Sequence, residues 1–276
     1  MLGKRLLTAL LLFIIGIPSI FLWDGVLFIP VMGFFLVYSA WEYVCMSRVV
    51  AMQPSALLTV GGTALIILAR SFWPQWAEPV LSLLVLAALT WHMFTYERGR
   101  DQAALDFAVT VGGLVYLGWI GAYLIDLRFL PNSHDGQWWL MIVLPSVWAA
   151  DTAAYFVGIR WGRHHMSVRL SPKKSWEGYL GGVVFGTFIA GLFSWLWAHY
   201  FGLQVSILQG AILGLVLSAV TPLGDLGESL FKRQAGLKDS SNIFPGHGGA
   251  FDRIDSWIWA GIIGVYMIRW FFLQLP

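Results

Sequence analysis

The segment Ser229-Leu-Phe-Lys-Arg-Gln-Ala-Gly-Leu-Lys-Asp-Ser-Ser-Asn-Ile-Phe-Pro-Gly-His-Gly-Gly-Ala-Phe-Asp-Arg-Ile-Asp255 decides how the rest of the chain is read. Only 12% of the 276 residues are charged, yet Lys232, Arg233, Lys238, Asp239, Asp252, Arg253 and Asp255 fall in this one stretch. Apolar runs at about 205–221 and 256–273 flank it. Charge gathered between two hydrophobic runs of spanning length marks a membrane protein and its working site. The residue types match that use. Carboxylates hold divalent cations, while Lys, Arg and Gly-rich backbone hold phosphates.

Outward from that segment the apolar pattern continues. The chain is 58% hydrophobic, more than a soluble domain of this length needs, so the excess faces lipid. Runs of spanning or near-spanning length occur at about 6–23, 26–44, 55–72, 79–95, 107–126, 138–158, 179–200, 205–221 and 256–273. The expected fold is therefore all-α, a polytopic integral membrane protein with about nine transmembrane helices. Met-Leu-Gly-Lys-Arg at the start imitates a signal n-region, but no clean small-residue cleavage site follows, so the first run reads as a retained helix. Cys45 is the single cysteine and excludes an intrachain disulfide.

Loop charge sets the orientation. With the N-terminus inside, fourteen of the 17 basic residues lie in inner loops, and Arg70, Arg128 and Arg269 stay outside. The C-terminus, Pro276, is then outside. Both long polar loops, 159–178 and 222–255, lie on the cytoplasmic face, where nucleotides and magnesium are available.

Four constellations carry chemistry. Asp151 sits inside the 138–158 run, seven residues before Gly158 and so about 10 Å below the helix end. Neighbouring hydroxyls could satisfy it, or it could face a cation. Arg169-Leu-Ser-Pro-Lys-Lys-Ser-Trp-Glu-Gly178 supplies Ser171, Lys173 and Lys174. Ser171-Pro172 reads as a helix start, Glu177 stands where it could pair with Lys174, and the basic residues suit either phosphate or an ordinary inner loop. In Thr221-Pro-Leu-Gly-Asp-Leu-Gly-Glu-Ser229, Asp225 and Glu228 are three apart and share a helix face. In His247-Gly-Gly-Ala-Phe-Asp-Arg-Ile-Asp255, Asp252 and Asp255 have the same spacing, and Gly246, Gly248 and Gly249 permit close backbone approach to an anion. A lone pair of this kind is usually a solvated helix start. Here Asp151, Asp225, Asp252 and Asp255 map to one depth on one side, where they repel unless a cation joins them. No Cys/His zinc spacing exists, and His247 reads as a phosphate donor or a structural residue.

The 229–255 segment resembles the defining motif of the phosphatidate cytidylyltransferases, also called CDP-diacylglycerol synthases. Ser229, Lys232-Arg233, Lys238-Asp239, Ser241, Phe244, Pro245, His247-Gly248-Gly249, Asp252-Arg253 and Asp255 fall at the family's spacing, and Ala250 replaces a larger aliphatic residue at a packing position. Asp151-Thr-x-Ala-Tyr-x-x-Gly, Ser171-Pro-Lys-Lys-Ser-Trp-Glu-Gly178 and Gly224-Asp225-x-x-Glu-Ser229 resemble family segments as well. Together they cover roughly 145–260, and the first five spans match only in being hydrophobic.

The resemblance implies the reaction CTP + phosphatidate → CDP-diacylglycerol + pyrophosphate, in a multi-pass enzyme of the inner (plasma) membrane with its N-terminus cytoplasmic. Magnesium, a second cation being optional, and a homodimer are implied too. CTP, phosphatidate and the bilayer are the expected partners, with no nucleic acid. On this reading residues 1–135 are N-terminal transmembrane helices and 136–276 the catalytic region. Asp225, Asp252 and Asp255, with Asp151, would hold the metal, and Lys238 would join them in catalysis. Ser171, Lys173, Lys174, Lys232, Arg233, His247, Gly248, Gly249 and Arg253 would meet substrate phosphates. A CTP-dependent polyprenol kinase shares the setting but releases CDP, and a transporter would use Asp151 in a cation path. The CDP-alcohol phosphotransferases need an Asp-Gly-x-x-Ala-Arg run, which this chain lacks.

Overall fold

The computed structural model describes residues 2–274, the side chains of residues 2–9, 11 and 12 excepted. Pro276, expected outside, lies beyond the described residues, as do the side chains of Lys4 and Arg5. In chain order the helices are α1 (Leu2–Phe21), α2 (Phe28–Val49), α3 (Gly62–Phe72), α4 (Ala77–Glu97), α5 (Ala103–Gly113), α6 (Tyr123–Phe129) and α7 (Ser133–Trp161). A hairpin of β1 (His165–Ser167) and β2 (Ser171–Ser175) follows, then α8 (Trp176–Phe201), α9 (Ile207–Val220), α10 (Pro222–Gln234) and α11 (Phe251–Tyr266). Wider π-helical turns at Leu57–Gly61, Leu114–Ile120 and Met267–Phe272 extend α3, α5 and α11.

All nine expected apolar runs fall on helical segments. Among the described residues, six helices are long and apolar enough to cross a membrane: Phe28–Val49, Pro74–Glu97, Ala103–Phe129, Ser133–Trp161, Trp176–Phe201 and Ile207–Gln234. Phe13–Gly25 and Leu57–Phe72 are apolar but shorter, and α11 opens with Asp252, Arg253 and Asp255 in its first turns. The outer faces fit a lipid solvent. Leu83 is 65% exposed, Leu86 60%, Val184 69% and Phe188 61%, a cost that water would not tolerate over whole helix faces.

The chain forms two compact units, Met1–Ile125 with Leu230–Ile254, and Asp126–Ser229 with Asp255–Pro276. In the first, Ile66, Leu84 and Leu114 make a buried cluster that Val80, Leu81 and Trp119 cover. Its polar ends are tied by Arg100, whose Nε stands 2.7 Å from Asp106 Oδ2 and whose guanidinium also donates to the Ala51 carbonyl at 2.7 Å. Asp106 accepts the Gln53 amide at 2.7 Å as well, so one buried carboxylate pins two loops.

In the second unit, small residues recur every four positions. Gly178, Gly182 and Gly186 of α8 lie against the backbone of α7, where a Cβ at Gly182 would stand 2.7 Å from the Ala150 carbonyl. Gly210 and Gly214 of α9 lie against Ser194 and Ala190 of α8 in the same way. Lipid offers no hydrophobic drive between helices, so close backbone approach supplies the packing. Buried Trp139, Leu140, Ile142, Leu213 and Leu217 fill the interior around these seams.

Two local expectations are corrected. Residues 171–175 form a strand paired antiparallel with β1, not a helix start. The cap of α8 is instead Ser175, whose Oγ accepts the Gly178 amide at 3.2 Å. Residues 222–234, read as part of a long loop, are helical. Pro222 opens a new helix, where its missing N–H costs nothing.

Candidate active site

Among the described residues, the charged side chains of the motif segments gather in two places, one in each unit. In the second unit, α10 begins with Thr221-Pro222, and the Gly224 amide donates to the Thr221 carbonyl at 2.8 Å. Gly224 is required there, because a Cβ would stand 2.5 Å from the Asp255 carbonyl and 2.8 Å from Trp259. This close crossing sets the first turns of α10 beside α11. As a result Asp225, Glu228 and Asp255 each offer a carboxylate oxygen within 4.8 Å of the others. Glu228 is fully buried. Lys174 of β2 approaches Asp225 Oδ2 at 2.7 Å, and Ser256 donates its amide to Asp255 Oδ1 at 2.6 Å. Asp151, on α7, is within electrostatic reach of Lys174 and Asp225.

The expected Glu177–Lys174 pair does not form. Glu177 turns to the hairpin base, where it accepts from His164 Nδ1 at 2.6 Å and from the Arg163 amide at 3.1 Å. That leaves Lys174 for Asp225. Lys173 is exposed, and Ser171 is half-buried at the start of β2.

In the first unit, the motif's loop folds into a tight turn. The Phe244 amide donates to the Gly248 carbonyl at 3.0 Å and the His247 amide to the Phe244 carbonyl at 2.8 Å. Gly246 (φ 81°) and Gly248 (φ 78°) supply the left-handed conformations this turn needs. The Asp252 side chain is only 7% exposed, and its oxygens are saturated. Its Oδ1 takes Lys232 Nζ at 2.6 Å, and its Oδ2 takes the Ser240 amide, the Ser240 hydroxyl and the Gly249 amide, each at 2.8 Å. The last bond reaches back three residues, to an amide two positions ahead of α11. Asp252 lies ahead of the final apolar run. Burial works to raise its pKa, but the Lys232 hydrogen bond and charge and the two amides outweigh it and hold the carboxyl at about 2. Arg233 donates to the Leu237 carbonyl at 3.0 Å, Lys238 is exposed, and His247 and Arg253 are half-buried.

The structure thus brings Asp225 and Asp255 together and adds Glu228 to them. The sequence reading had placed Glu228 on the face of Asp225 but left it out of the ligand set. Asp252 is engaged with Lys232 and the Ser240–Gly249 loop. A second residue missed is Glu42 of α2, 2% exposed, which accepts the Ala250 amide at 3.0 Å and the Phe251 amide at 2.8 Å. Its signal was available: Glu42 is the single charged residue in the 26–44 run.

The chemistry of the trio fits a hard divalent cation. Three carboxylates this close repel, all their donors are oxygen, and opposite ligands of magnesium lie about 4.2 Å apart, twice a metal–oxygen distance of about 2.1 Å.

Comparison with known proteins agrees with the motif. The model of the cytidylyltransferase family matches residues 3–271. A phosphatidate cytidylyltransferase of Pseudomonas aeruginosa is 35% identical over 268 residues, covering 93% of each chain. That of Staphylococcus aureus is 32% identical over 256 residues, covering 92% of this chain and 94% of its own. That of Synechocystis is 30% identical over 251 residues, covering 82% and 83%. The match runs through the N-terminal helices as well as the charged motif, and the chain belongs to the cytidylyltransferase family.

Proposed function

We propose that the chain catalyses CTP + phosphatidate → CDP-diacylglycerol + pyrophosphate in phospholipid biosynthesis. The observation that carries this reading is similarity over nearly the whole length to proteins of that name, joined to a chain whose charged residues gather between apolar helices. In this reading the lipid phosphate attacks the α-phosphorus of CTP, and the β- and γ-phosphates leave together. An ionised phosphate is already a nucleophile, so no general base is needed. Lys173, Lys238 and Arg253 would meet phosphate oxygens with the Gly248 amide, and Lys174, Lys232, Arg233 and the Gly249 amide would do so by giving up their present acceptors, Asp225, Asp252, the Leu237 carbonyl and Asp252.

Magnesium would be held by Asp225, Glu228 and Asp255, and when bound it would supply charge neutralisation for two anionic reactants and the leaving pyrophosphate. Asp151, Asp252 and a second cation remain part of the proposal. Asp252 would act there by giving up one of its present donors. Lys174 would hold Asp225 until phosphate competes for its ammonium group. The cytoplasmic placement of loops 159–178 and 222–255, the nine-span topology in an inner membrane, the division at residues 135 and 136 and a homodimer belong to the same reading. Positive-inside loop charge supports the orientation.

The test uses purified protein, phosphatidate in detergent, magnesium and CTP labelled separately at the α- and γ-phosphates. The α-label should enter the lipid and the γ-label should appear in pyrophosphate. Entry of γ-label into lipid with release of CDP would make the chain a lipid kinase and end this reading.

A further inference from the structure

We propose that Glu42, in the second apolar run, is a positioning residue for the charged motif. It would hold the Ser240–Ser241 turn and the start of α11 so that Asp252 keeps its working orientation. This rests on the reaction proposed above.

A carboxylate in an apolar helix is expensive unless its oxygens are fully used. Those of Glu42 are, and every donor comes from the motif. Oε1 takes the Ser241 hydroxyl at 2.5 Å and the Ala250 amide at 3.0 Å. Oε2 takes the Phe251 amide at 2.8 Å and the Ser240 hydroxyl at 3.0 Å. The two amides are orphan donors at the start of α11, and a carboxylate there also meets the positive end of the helix dipole. Gly249 confirms how tightly the loop lies on this group, since a Cβ at that position would collide with both the Glu42 carboxylate and the Ser240 hydroxyl.

Ser240 links this anchor to the motif's own aspartate. Its hydroxyl stands 3.0 Å from Glu42 Oε2 and 2.8 Å from Asp252 Oδ2. A hydroxyl has one proton, so Glu42 and Asp252 compete for it, and the position of one carboxylate sets what the other receives. Asp252 also draws on the Ser240 and Gly249 amides, both on backbone that Glu42 fixes. The donors to Glu42 are all protein groups. Glu42 acts through Ser240, the 249–251 backbone and Asp252. A merely structural anchor would affect how much protein folds, whereas a positioning residue changes the rate of each folded molecule.

The experiment compares Glu42→Gln, Glu42→Asp and Ser241→Ala with the unaltered protein. Rates are counted per molecule in the monodisperse size-exclusion fraction, varying CTP, phosphatidate and magnesium. Hydrogen exchange of the peptide covering 240–252 is measured alongside. The amide of Glu42→Gln turns an N–H₂ toward two of the four donors. Its kcat should fall about 100-fold, the cost of a misplacement near 1 Å, while KM for CTP changes less than about 3-fold. Exchange over 240–252 should quicken, Glu42→Asp should recover part of the rate, and Ser241→Ala should lose a smaller part. Folded Glu42→Gln with kcat within about 2-fold of the unaltered protein overturns the proposal, as does a loss confined to KM. If Glu42→Gln does not fold, full rates in both other variants overturn it. An unaltered protein without turnover, beside faster exchange in Glu42→Gln, would instead refute the reaction and leave the anchor standing.

Discussion

The Lys232–Asp252 pair offers a test that does not depend on turnover. Both side chains are nearly buried, 9% and 7% exposed, and their charged atoms stand 2.6 Å apart. Removing one member leaves the other as an uncompensated buried charge, which costs about 3–5 kcal/mol. Asp252→Asn keeps an oxygen for the Ser240 and Gly249 amides but turns an N–H₂ toward the ammonium group. Lys232→Met keeps the stem's packing and leaves Asp252 with three neutral donors, so its loss should be at the lower end. In the double variant neither charge of the pair remains, and it should lose at least about 2 kcal/mol less than the sum of the single losses. Equilibrium unfolding in mixed micelles of increasing SDS fraction measures all four proteins. Additivity within about 0.5 kcal/mol would show that the two groups do not share a buried bond, and the reasoning about Asp252 would fail.

Three further outcomes are expected. Asp225→Asn, Asp255→Asn and Glu228→Gln should each lower kcat by at least about 100-fold while the protein still inserts and purifies, since a bound metal supplies several kcal/mol of transition-state stabilisation; near-native turnover in any of them removes that residue from the ligand set. In a Cys45→Ser background, single cysteines at positions 173 and 238 should react with an impermeant thiol reagent from the cytoplasmic side, and labelling from the opposite side alone would reverse the orientation. Asp252 has its pKa lowered from 3.8 to about 2, so its contribution to stability is complete above 3.8 and is lost as pH falls through about 2; a stability loss already centred near pH 5 would have to come from other groups.

Much of the helical layout was legible because lipid imposes a simple rule on composition. Each apolar run became helix, and the four-residue recurrence of Gly178, Gly182 and Gly186 is printed in the sequence as plainly as in the packing. Helix ends were less legible. Pro222 directly follows the 205–221 run, and it starts α10, because proline's missing donor is costless in a first turn. Ser171-Pro172 reads as a helix start but opens a strand, and the cap is supplied by Ser175 four residues later. Local chemistry names candidates for a boundary, and the tertiary partner chooses among them.

The site divides along the same line. Asp225, Glu228, Asp252 and Asp255 were visible as pairs three residues apart, and helical spacing alone placed Asp225 and Glu228 on one face. Spacing within a helix, however, says nothing about which other helix supplies the next oxygen. Asp255 joins Asp225 and Glu228 because Gly224 lets two backbones cross within a side chain's width, a contact between residues far apart in sequence. Glu42 joins the motif across about two hundred residues. The clue for Glu42 was energetic, not a motif: one carboxylate in an apolar run must find several donors, and the 239–251 segment supplies two hydroxyls and two amides. Intramembrane charge is therefore worth reading as an unsatisfied demand, to be matched against the loops that have donors to give.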